Sequence, residues 1–94
     1  MSMIFIGNFR SVANMKSSRG NPAPNQFEIQ TDKGRVFQSY STVIAAIIKS
    51  KTYLDPKYDY SVTTGKYRNQ FLGEGIEATR KKIKSGEYIV VNLN

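Results

Sequence analysis

Six basic side chains between residues 66 and 84, Lys66, Arg68, Arg80, Lys81, Lys82 and Lys84, stand against two acidic ones, Glu74 and Glu77. Cations at that density attract phosphates, nucleic acid or acidic protein surfaces; they do no bond-making chemistry by themselves. Just ahead of them Ser61, Thr63 and Thr64 precede Gly65-Lys66. Hydroxyls placed there cap a helix by accepting from its first amides, and the same amides and hydroxyls can hold a small anion such as a nucleotide signal. Nucleotide hydrolysis is rejected, because the first glycine of a phosphate-binding loop is missing and Tyr67, not Ser or Thr, follows Lys66. Tyr60 and Tyr67 have faces on which bases could stack. Tyr67, four residues before Phe71 on one helical face, fits a core position better.

Acid–base chemistry would have to come from Asp55, Asp59, Glu74, Glu77 or Glu87. The chain has no histidine and no cysteine, which removes the commonest general base, the thiolate nucleophile, disulfides and the usual zinc ligands. No nucleophile, base and orienting group follow one another in a recognised order, so the expectation is a non-enzyme without cofactor or metal. Fourteen Lys and Arg against seven Asp and Glu leave a net charge of +7, which favours anionic partners. The apolar start Met1–Ile6 is too short for a signal peptide, and no run of about 18 apolar residues occurs, so a cytoplasmic location away from membranes is expected.

Those side chains need a scaffold, and 94 residues make a single domain, 1–94, with one small core. Residues 2–6 read as a short strand. Residues 10–24, with Arg10, Lys16 and Arg19 among Ser, Asn, Gly and Pro, read as a basic flexible loop. The alternation from Gln26 to Thr31, the turn Asp32-Lys33-Gly34 and the return Arg35 to Tyr40 predict a hairpin, with Gly34 supplying a positive φ. Val43 to Ile48 is continuously apolar and reads as a strand buried on both faces, paired with Thr52–Leu54. Helices are expected over 63–72, stopped by Gly73, and 75–85, stopped by Gly86. In the second, Ile76, Thr79 or Arg80, and Ile83 mark an inner stripe. Glu87 to Leu93 closes the chain as a strand. The fold class is α+β, a mostly antiparallel sheet of about five or six strands covered on one face by two short helices.

Four stretches, Gln38-Ser-Tyr-Ser-Thr-Val-Ile-Ala45, Tyr53-Leu54-Asp55, Tyr60-Ser-Val-Thr-Thr-Gly-Lys-Tyr-Arg-Asn-Gln-Phe-Leu-Gly73 and Lys81-Lys-Ile-Lys-Ser-Gly-Glu87, resemble a family of small proteins encoded by bacteriophages and prophages. That family is described only as a domain of unknown function. The resemblance spans about residues 37 to 94, and Tyr67 stands where the motif usually carries histidine. The departure points to a packed or interfacial position rather than a proton-transfer site. What the resemblance implies is a phage accessory protein that binds and modulates a host macromolecule, a host protein or nucleic acid, in nucleic-acid metabolism or antiviral defence. Direct nucleic-acid binding through the basic residues is the alternative reading, and a homo-oligomer could complete a small-ligand pocket from two subunits.

Overall fold

The computed structural model describes residues 6–94. The alternating segment around Phe27 and Ile29 lies in β2 (Pro22–Thr31), antiparallel to β3 (Gly34–Ser39), with Ile29 opposite Val36 and Glu28 opposite Phe37. Asp32-Lys33 forms the turn. The Thr31 hydroxyl closes it, accepting from the amides of Lys33 and Gly34 at 3.1 and 3.0 Å. Gly34 is not among the positive-φ residues. A Cβ at that position would strike the Ile47 carbonyl of the neighbouring strand, so close backbone approach is what requires glycine there.

β4 (Thr42–Ile48) and β5 (Lys51–Leu54) form the next hairpin. Ile44 and Ala45 of β4 enter one core and Val43, Ala46 and Ile48 the other, which explains why this strand shows no alternation. The chain then makes α1 (Val62–Leu72) and α2 (Ile76–Ser85) before β6 (Tyr88–Val90). Strand order follows chain order from β1 to β6; every pair is antiparallel except β5–β6, which the helical crossover makes parallel. The α+β class holds.

Three further expectations are corrected. Residues 10–24 are mostly strand: β1 (Phe9–Lys16) pairs with β2, leaving 17–21 as the connection. The pairing survives the prolines because β2 bulges between Pro22 and Phe27, where Asn25 takes a φ of 62°. The Asn14 amide donates to the carbonyls of Ala23 and Gln26 at 2.6 and 3.0 Å, giving donors to groups the bulge leaves open. Secondly, the sheet is covered on both faces. Met15, Phe37, Ile44, Leu54, Tyr67 and Phe71 form the core beneath the helices, and Ile6, Ile29, Val36 and Leu93 form one on the opposite face.

Thirdly, the closing strand is only Tyr88–Val90, because the tail beyond it is drawn onto the second core. Asp55 holds that tail, accepting from the Leu93 amide at 2.9 Å and the Asn94 side chain at 3.0 Å. Asn94 also exchanges two bonds with the Val43 backbone, 2.8 and 3.0 Å, in place of a ladder partner. The strand expected over 2–6 lies, apart from Ile6, outside the described residues.

The β4–β5 turn puts Lys49 and Ser50 at φ of 50° and 70°, the left-handed pair of a two-residue hairpin that Asn-Gly fills with least strain. Ser50→Gly should therefore stabilise the protein by about 0.5–1 kcal/mol, read as a higher urea midpoint at unchanged slope. An unchanged or lower midpoint would contradict the strain assigned to this turn.

Candidate nucleic-acid interface

α1 begins where Ser61, in extended backbone, turns its hydroxyl to accept from the Thr64 amide at 3.1 Å. That is an N-cap, and it uses the hydroxyl oxygen as an acceptor. Thr64 is buried, its own hydroxyl 2.9 Å from that of Ser39 on β3. Of the three hydroxyl residues proposed for an anion, Thr63 alone is exposed. Tyr67 and Phe71 face the sheet, and the Phe71 ring stacks on Phe37 with centroids 5.9 Å apart. The packed reading of Tyr67 is the one observed, whereas Tyr60 is about half exposed. Gly73 ends α1 with φ of 72° and Gly86 ends α2 with φ of 86°.

The six cations expected to form one patch divide. Arg68 is 1% exposed and does not reach the surface. Its guanidinium donates to the Tyr58 carbonyl at 2.7 Å, to Asp59 at 3.0 Å and to Asn69 at 2.7 Å. Arg80, on α2, reaches the other oxygen of Asp59 at 2.9 Å. One carboxylate thus ties the loop before α1 to both helices. Lys82 is bound to Glu74 at 2.6 Å and lies 5.3 Å from the Tyr88 ring. Lys66, Lys81 and Lys84 are exposed and in no ion pair among the described residues. They are what remains of the expected helical patch.

The carboxylates considered for acid–base work are mostly engaged in the scaffold. Asp55 holds the tail and caps its own turn through the Lys57 amide, 3.0 Å. Glu74 accepts from Thr79 at 2.7 Å, Lys82 at 2.6 Å and Tyr88 at 3.1 Å, joining the start of α2 to β6. Burial by itself pushes the Glu74 carboxyl up, but the bonds from Lys82, Thr79 and Tyr88 outweigh it and hold it below the ordinary value. The bond to Glu74 raises Lys82, and burial followed by the Glu74 bond raises Tyr88. Glu77 and Glu87 are exposed. Among the described residues there is no cluster of potential metal ligands and no helix long and apolar enough to cross a membrane.

The fold and this surface define a small α+β protein with a cationic exterior. A family of unknown function (DUF8033) matches residues 10–90, and the chain belongs to that family. The match takes in β2 and all of β1 but Phe9. No curated protein and no solved structure matches the chain.

Glu74 supplies a pH test. Its pKa is lowered in the fold, so its contribution is present above the unfolded value near 4.5 and disappears as pH falls through the folded one. Lys82 and Tyr88 are raised, so theirs persist through neutral pH and are lost only at alkaline pH. The Lys82 side chain is 36% exposed, which lets water weaken that ion pair. Glu74→Gln should cost about 1–2 kcal/mol at pH 7, with the difference from wild type shrinking below about pH 4. A difference that stays constant down to pH 2 would remove the charge from the explanation.

Proposed function

We propose that this is a non-catalytic binding protein, of the accessory kind that bacteriophages encode, and that it engages nucleic acid through exposed cations. The reading rests on one observation. Among the described residues Arg35, Arg68, Arg80 and Lys82 are in ion pairs, and the other ten Lys and Arg are exposed without one. Meanwhile three of the seven acids are paired with those four cations, and Asp32 and Asp55 accept backbone amides. The unpaired charge on the outside is therefore mostly positive, ten cations against Asp32, Glu77 and Glu87, which raises the local concentration of a polyanion.

Lys66, Lys81 and Lys84 supply the helical share of this charge, and Tyr60 offers a ring to an unstacked base. Lys84 also complements the C-terminal end of the α2 dipole, so it serves the fold as well. Phage origin is supported by the likeness of Tyr60–Gly73 to a phage-encoded motif. A host protein with an acidic face is the second reading, favoured by the same charge. Capture of a small anionic nucleotide at Ser61, Thr63 and Thr64 has less support, because Thr64 is buried and bonded to Ser39, and Thr63 alone of the three is exposed.

Fluorescence anisotropy with a labelled duplex tests the reading. Affinity should fall steeply between about 50 and 200 mM salt, and Lys66→Gln with Lys81→Gln should lower the log–log slope by about 1–2. No binding at about 50 mM salt, or binding indifferent to salt, would count decisively against it.

A further inference from the structure

The sheet brings together cations that are scattered along the chain. Phe9 is opposite Thr31, Gly34 opposite Ile48, Ile48 opposite Lys51, and Thr52 opposite Tyr88. The start of β1, the β2–β3 turn, the β4–β5 turn and the start of β6 therefore share one end of the sheet. Arg10, Lys33, Lys49 and Lys51 stand along it, and Lys84, in the last turn of α2, is carried there by the short link to Tyr88. All five are exposed and, among the described residues, none is in an ion pair. The acids nearest in sequence at this end are Asp32, which accepts from the Asn8 amide at 2.8 Å, and Glu87. Lys49 also holds its side chain at a left-handed backbone position where glycine or asparagine would be less strained.

We infer that this end of the sheet is the surface that contacts the phosphates of a nucleic-acid duplex, an inference that rests on the binding function proposed above. Four strand spacings separate β1 from β5, so the row from Arg10 to Lys51 is about 19 Å long. That exceeds the ~12 Å width of a major groove, which lets its two ends meet phosphates of both strands. The cations sit on hairpin turns fixed by the sheet, so they form a row of set spacing. Phe9 is the large exposed ring on this part of β1, and one ring gives backbone contact the larger share over base stacking.

The experiment compares wild type, the triple variant Lys33→Gln/Lys49→Gln/Lys51→Gln and the helical variant Lys66→Gln/Lys81→Gln, titrated into a short labelled duplex at about 50 and 200 mM salt. The triple variant should bind at least about tenfold more weakly at the lower salt, with the log–log slope reduced by about 2–3, more than the roughly 1–2 of the helical variant, while circular dichroism stays at wild type. A helical variant that loses more than the triple variant would overturn the inference. If the triple variant does not fold, Lys33→Gln and Lys51→Gln singly should each lower the slope by about 1. Should wild type bind and the sheet-end variants match it, this inference alone falls; should wild type not bind, the proposed function falls with it. Displacement of the duplex by an equal charge of polyglutamate would assign the surface to acidic protein and overturn the inference.

Discussion

A guanidinium that is 1% exposed needs its charge and its donors met inside the protein, and the arrangement around Arg68 meets its charge and its terminal nitrogens, leaving the buried Nε–H without a partner among the described residues. Asp59 meets the charge at 3.0 Å, and the Tyr58 carbonyl and Asn69 side chain take further donors. Gly65, one turn earlier on α1, leaves the guanidinium nitrogens 3.5–3.6 Å from where a Cβ would stand. Asp59 then takes Arg80 from α2, so the loop before α1 and both helices meet at a single carboxylate. The Tyr58–Gly73 stretch is first of all the device that fastens the helical layer.

Other joints in the fold are built in the same way. Asp55 fixes the C-terminal tail under the second core, and Glu74 fixes α2 to β6. Each draws an acidic side chain into structure, while most cations stay outside. A modest excess of Lys and Arg in composition thereby becomes an exterior on which unpaired cations outnumber unpaired acids. Folding and binding are linked here through the placement of the acids.

The local signals in the sequence were readable because they act over a few residues. The stops at Gly73 and Gly86 and the alternation around Phe27 and Ile29 appear where expected, and of the three hydroxyls offered as a cap, Ser61, Thr63 and Thr64, it is Ser61 that caps, one residue before the helix begins at Val62. What could not be read depends on partners remote in sequence. β1 is polar and rich in turn residues, and it is a strand because β2 pairs with it and Asn14 bridges the bulge. Arg68 looked like its basic neighbours, since nothing in its type shows that the Tyr58–Asp59 loop folds back over it. Lys33 and Lys49 read as ordinary turn residues until the sheet register sets them side by side.

The claim that Arg68 is a structural cation is tested most directly by a double-mutant cycle on Asp59→Asn and Arg68→Gln, measured by urea unfolding. Asp59 is 37% exposed, so solvent reduces the coupling from that of a fully buried pair, and a value of about 1–2 kcal/mol is predicted. Arg68→Gln alone should be clearly destabilising. A coupling near zero, together with an Arg68→Gln protein as stable as wild type, would contradict the account and return Arg68 to the candidate binding surface.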